Sequence, residues 1–110
     1  MTEEPRQAIL DALYLIVQER KSNPSQESYV ASLFAKGLDK ILGKIGEEAT
    51  EVAVAGKGGK HDEVVSEVAD LWFHTVVLLG YYDLPPARIY AELERRFGTS
   101  GLQEKAGRAG

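Results

Sequence analysis

Hydrophobic positions along the chain recur with the 3.6-residue period of a helix, and nowhere with the strict alternation of a strand. Ile9, Leu13, Ile16 and Val17 mark the inner face of a first helix, with Thr2 as its cap and Pro5 tolerated in its opening turn. Ser22-Asn23-Pro24-Ser25 breaks that pattern. A short helix follows over 28–36, ending near Gly37, and a long one over 38–55. Gly56-Lys57-Gly58-Gly59-Lys60 reads as a flexible turn, and another long helix runs over 62–79. Pro85-Pro86 then open a last helix that Gly98 closes. The predicted architecture is an all-α bundle of about five helices, one domain over 1–98, with 99–110 a small, polar, glycine-rich and mobile tail.

The helix over 38–55 has two chemically distinct faces. Leu38, Ile41, Leu42, Ile45, Ala49 and Val52 cluster on one side, and Lys40, Lys44, Glu47, Glu48 and Glu51 on the other. By itself the polar side is an ordinary solvated face, its i,i+3 and i,i+4 ion pairs contributing roughly 0.2–0.5 kcal/mol each. The helix over 62–79 is less ordinary. Val64, Val65, Val68, Leu71, Trp72, Phe73, Val76 and Val77 make it apolar around most of its circumference, so it belongs at the centre. Yet Glu63, Glu67, Asp70 and His74 form a narrow stripe on it. Carboxylates on a central helix cost several kcal/mol each, on the order of the desolvation penalty, unless they pair, protonate or bind a cation.

The hairpin between the two long helices indicates what compensates them. With the turn centred at Gly58–Gly59, Glu48 and Glu51 lie on average about nine residues before it, and Glu67 and Asp70 on average about ten after it. Four carboxylates therefore face one another at one level of an antiparallel pair, and a divalent cation relieves their repulsion. All-oxygen ligands favour Mg²⁺, or Mn²⁺, over zinc. A di-iron carboxylate bundle needs Glu-x-x-His on two helices; here a single stripe supplies one histidine. The glycine-rich turn lacks the spacing, the Ser or Thr after lysine and the preceding strand of a phosphate-binding P-loop.

Composition narrows the function classes. A chain of 110 residues with 44% hydrophobic content builds one domain with a modest core, which small helical units often complete by oligomerising. The net charge of −4 argues against nucleic acid as a partner. The absence of cysteine removes disulfides, thiolate metal sites and cysteine nucleophiles. The acidic start Met1-Thr2-Glu3-Glu4-Pro5 does not have the layout of a signal peptide, and the apolar stretch from Leu71 to Leu79, interrupted by His74, is too short to span a bilayer. The expectation is a soluble cytoplasmic domain without a membrane partner.

Glu47-Glu48-Ala49-Thr50-Glu51 followed by Glu67-Val68-Ala69-Asp70 resembles the Glu-x-x-Glu…Glu-x-x-Asp signature of the all-α nucleoside-triphosphate pyrophosphohydrolases. The flanking Ser28-Tyr29, Leu33-Phe34-Ala35-Lys36-Gly37, Lys40-Ile41-Leu42-Gly43-Lys44-Ile45-Gly46 and Glu92-Leu93-Glu94-Arg95-Arg96-Phe97-Gly98 are similar to the phosphoribosyl-ATP pyrophosphatase family, from about Ile9 to Arg108. That resemblance implies hydrolysis of phosphoribosyl-ATP to phosphoribosyl-AMP and pyrophosphate in histidine biosynthesis. A general house-cleaning nucleoside-triphosphate pyrophosphohydrolase is the alternative enzyme, and a non-enzymatic acidic adaptor helix the alternative class. It also implies that Glu48, Glu51, Glu67 and Asp70 ligate metal. Glu47 matches an acidic neighbour of the ligands, and Glu47 or Glu51 is the candidate base. Lys40 and Lys44, about two turns and one turn before Glu48, are placed to meet polyphosphate oxygens, with Lys36 and Lys57 weaker candidates on position. His74 reads as a hydrogen-bonded core histidine ahead of a base, and Trp72 and Phe73 as core or interface. Tyr29 is equally a packed residue or a stacking surface for a base. Arg95 and Arg96 suit the C-terminal dipole of the last helix, and the resemblance keeps a phosphate role for one of them open. The apolar spread of Trp72, Phe73, Val76 and Val77 predicts a homodimer or larger homo-oligomer.

Overall fold

The structure is a computed structural model that describes residues 9–98. It holds α1 (Ile9–Ser22), α2 (Tyr29–Lys36), α3 (Leu38–Gly58), α4 (His61–Tyr81) and α5 (Pro86–Phe97), with no strand among the described residues. The fold is the all-α bundle that the periodicity predicts. The Thr2 cap and the tail over 99–110 lie outside the described residues.

Local chemistry sets the boundaries. The Ser28 hydroxyl accepts from the Ala31 amide at 3.1 Å and so caps α2. Gly37 ends α2 and begins α3 with φ 101°, a region that disfavours a side chain. α3 runs three residues past its predicted end, through Gly56-Lys57-Gly58, and the turn contracts to Gly59-Lys60, with Gly59 left-handed at φ 77°. Helical glycine costs roughly 1 kcal/mol relative to alanine. The pairing of α3 with α4 is the most extensive helix contact among the described residues.

The core lies where α1, α2, α3 and α4 meet. Val17, Leu33, Ile41 and Val77 are fully buried there, with Val30 and Val76 beside them. α1 and α4 approach closely at Gly80, where an added Cβ would stand 2.6 Å from Val17 Cγ1. Lys21 ties the same end together: its ammonium donates to the Gly80 carbonyl at 2.8 Å and to Asp83 Oδ1 at 3.1 Å. A cation at a helix C-terminus is where the dipole favours it.

By length and composition α4 is the one helix among the described residues able to cross a membrane, which the nine-residue apolar stretch inside it is not. It carries Glu67 and Asp70 and packs in the bundle against α3 and α1. α5 leans on α1, leaving an apolar groove of about 520 Å³ bordered by Leu10, Trp72, Val76, Leu79, Ile89 and Leu93.

Candidate metal centre

The inward stripe of α3 runs Ile41, Ile45, Glu48, Val52 and Ala55, a spacing of i, i+4, i+7, i+11 and i+14. The two-face division made from residue type is therefore off by part of a turn. Leu42 and Ala49 point to solvent, whereas Glu48 sits in the packed face at 6% exposure. A carboxylate thus occupies a position that packing reserves for an apolar side chain.

Across the hairpin, α4 brings Glu67 and Asp70 to the same level. One oxygen from each of Glu48, Glu67 and Asp70 lies within 4.8 Å of the others. Opposite ligands on one Mg²⁺ are separated by about 4 Å, so small side-chain rotations close the three onto a cation. Glu51 is not one of these three, but its carboxylate stands within hydrogen-bonding reach of Glu67. The Glu67 carboxyl is held above its ordinary pKa, most of all by burial, then by the Glu51 contact and by the negative charges of Glu51, Glu48 and Asp70. Glu48 Oε1 and Glu67 Oε1 are buried and have no hydrogen-bond partner. Two unpaired carboxylate oxygens in an all-oxygen cluster fit the donor set that a hard divalent cation takes.

Lys44 borders the cluster. Its ammonium is 3.4 Å from Glu47 Oε1 and 3.8 Å from Glu48 Oε2, both long for charge-assisted hydrogen bonds. Its pKa is raised, first by Tyr29, then by the hydrogen bond to Glu47 and by the Glu47 and Glu48 charges. Glu47 is exposed and turns toward Lys44, while Lys40, Lys36 and Lys57 are exposed on the surface.

His74, one turn beyond Asp70, is 5% exposed and hydrogen-bonded through both ring nitrogens. Nδ1 is 2.8 Å from the Asp70 carbonyl and Nε2 is 2.8 Å from the Tyr29 hydroxyl. Tyr29 also stacks on Phe73, with ring centroids 6.1 Å apart. The histidine is thus the hydrogen-bonded core residue of the first reading. The Tyr29–His74 link is new: residues 45 apart in sequence on separate helices carry no local signal of meeting. Arg95 and Arg96 both grip Glu92 on their own helix, at 2.6 Å and 2.7 Å.

The family model described as phosphoribosyl-ATP pyrophosphohydrolase matches residues 10–97. The chain is 64% identical over 103 residues to the phosphoribosyl-ATP pyrophosphatase of Geobacter metallireducens, covering 94% of each chain. It is 63% identical over 100 residues to that of Geotalea daltonii, covering 91% of this chain and 94% of the relative. With the Geobacter sulfurreducens protein of the same name the identity is 62% over 103 residues, covering 94% of this chain and 95% of the relative.

Proposed function

The chain belongs to the phosphoribosyl-ATP pyrophosphohydrolase family, and on that premise we propose that it hydrolyses phosphoribosyl-ATP to phosphoribosyl-AMP and pyrophosphate, as a cytoplasmic enzyme of histidine biosynthesis. The observation that carries this reading to a mechanism is the pair of buried, partnerless oxygens on Glu48 and Glu67 within a three-carboxylate cluster.

The residues proposed to hold a divalent cation are Glu48, Glu67 and Asp70, with Glu51 completing the set beside Glu67. Mg²⁺ is the proposed ion, and Mn²⁺ suits the same oxygens. Bound there, the cation supplies charge screening for the triphosphate and for the departing pyrophosphate. Water attacks the α-phosphorus in line, the α–β anhydride bond breaks, and pyrophosphate leaves as one unit. The proton lost by that water passes to a carboxylate, Glu47 or Glu51. Lys44, whose contacts to Glu47 and Glu48 are loose, neutralises phosphate oxygens, with Lys40 one turn before it on the same helix.

The described residues also support a homodimer or larger homo-oligomer. Eight hydrophobic side chains are buried, against fourteen large hydrophobic ones that are exposed, so the bundle leaves apolar area for a partner. Trp72, at 55% exposure, lines the groove under α5 and belongs to that area. Val76 and Val77, expected at an interface, lie in the home core instead.

Titrating Mg²⁺ or Mn²⁺ into metal-stripped protein, with calorimetric detection, tests the site without substrate. Saturable binding that Glu48→Gln or Glu67→Gln abolishes is the expected result. Equal binding by wild type and both variants refutes the four-carboxylate assignment.

A further inference from the structure

The clustered carboxylates belong to two helices, Glu48 to α3 and Glu67 and Asp70 to α4. Like charges that face one another across a helix pair push the helices apart until a cation joins them. Three contacts join α4 to α2 within one turn of Asp70. Phe73 and His74 follow Asp70 by three and four residues, so they lie one helical turn, about 5.4 Å, further along α4. A backbone carbonyl only accepts, so the 2.8 Å contact between His74 Nδ1 and the Asp70 carbonyl places a proton on Nδ1. In the neutral ring Nε2 is then an acceptor, and the Tyr29 phenol donates to it at 2.8 Å. The Tyr29 ring also stacks on Phe73 at 6.1 Å and meets the His74 ring edge-on at 5.7 Å.

Tyr29 is the first residue of α2, directly after the buried Ser28 that caps the helix. At its other end α2 passes into α3 through Gly37 alone, and it packs against α3. α2 is therefore a strut between the two carboxylate-bearing helices, and the Tyr29–His74 hydrogen bond is its polar joint to α4.

We propose that Tyr29 and His74 are positioning residues for the cation site: their hydrogen bond fastens the strut to α4 one turn from Asp70 and holds Glu67 and Asp70 up to Glu48 against the repulsion. The proposal rests on the reading above that these carboxylates hold a divalent cation. It gives the buried His74 a task besides filling the core, and it makes α2, which carries none of the proposed ligands, part of the site. A hydrogen bond that only stabilises the fold contributes equally with and without the cation. One that holds repelling ligands together contributes more when the cation is bound, because without the cation its loss lets the carboxylates separate, and the relieved repulsion offsets part of the cost. By linkage, the difference between those two costs is the change in cation affinity.

Tyr29→Phe keeps the ring and removes the hydroxyl. Calorimetric titration of Mg²⁺ into the metal-stripped full chain is expected to show a Kd about tenfold weaker than wild type, the scale on which residues behind metal ligands act. Urea denaturation is expected to show a larger loss of stability in Mg²⁺ than in chelator. Phenylalanine also leaves the buried His74 Nε2 without its donor, so a second variant, Tyr29→Phe with His74→Leu, replaces both partners by apolar groups and removes that penalty. In this double variant stability in chelator is expected to recover toward wild type while the Kd stays about tenfold weak. Where Tyr29→Phe fails to fold, the Kd of the double variant decides. Wild-type Mg²⁺ affinity in Tyr29→Phe overturns the proposal, and so does affinity that returns together with stability in the double variant. Wild-type protein that binds no Mg²⁺ overturns the cation reading first, and the positioning proposal with it.

Discussion

A carboxylate with a buried, unpaired oxygen raises the free energy of the folded chain, because it has given up water and received nothing in exchange. Glu48 and Glu67 both have such an oxygen, and Glu67 also faces the charges of Glu51, Glu48 and Asp70. Converting either to an amide removes charge where charge is unfavourable without cation. Glu48→Gln and Glu67→Gln are therefore each expected to raise Tm in the presence of a chelator. Each is also expected to lower kcat by about a hundredfold or more with excess Mg²⁺, the consequence of losing a metal ligand. Thermal melts with and without chelator, alongside turnover, check both halves; a lower Tm in chelator for both variants contradicts the idea that these oxygens await a cation. The upward displacement of the Glu67 pKa has the same sign, since protonating that carboxyl, like neutralising it with metal, relieves the cluster.

Helix pairs, not single side chains, set the register on which the site depends. α1 and α4 are held close at Gly80, and a methyl group there would meet Val17 Cγ1 at 2.6 Å. Gly80→Ala is expected to cost about 1–3 kcal/mol by overpacking, recovered in part by Val17→Ala, as urea denaturation would show. α5 has its own electrostatic lock: hydrogen bonds from Arg95 and then Arg96 hold the Glu92 carboxyl down to about 2. A depressed carboxylate stabilises the fold above its unfolded pKa and loses that effect as pH falls through the folded one. The stability difference between wild type and Glu92→Gln should thus be full above about pH 4.5 and fade on acidification towards about pH 2. A difference that does not change over that range would show that these exposed pairs do not stabilise α5. Most of these elements are legible in the sequence, since periodicity, Ser28, Gly37, Pro86 and Gly98 mark them. The end of α3 is not, because Gly56, Lys57 and Gly58 read as turn residues yet continue the helix up to the left-handed Gly59. Nor is the burial of Glu48, because sorting by residue type groups it with Lys40, Lys44, Glu47 and Glu51 on the polar face of its helix. Hairpin counting still brings Glu48 level with Glu67 and Asp70, since one residue of error in the turn shifts both helices' levels only slightly, though Glu51 is not in that group of three.

Among the described residues, more large apolar side chains are exposed than the helices bury. Trp72 is half-exposed while Val76 beside it is buried, so a charge at Val76 would disrupt the monomer, and only Trp72 tests the surface itself. Sedimentation at micromolar concentration is expected to show a dimer or larger species for wild type and a folded monomer for Trp72→Glu. A folded, fully active wild-type monomer rules out the oligomer. The carboxylate cluster does not by itself distinguish phosphoribosyl-ATP from other triphosphates, and family membership supplies that distinction. The decisive measurement is product analysis with phosphoribosyl-ATP and ordinary nucleoside triphosphates side by side, in Mg²⁺ and again after chelation. The account predicts phosphoribosyl-AMP and pyrophosphate in equal amounts, only with the cation present, and far slower cleavage of the ordinary triphosphates. Cleavage that survives chelation, release of orthophosphate instead of pyrophosphate, or equal turnover of all the triphosphates would contradict it.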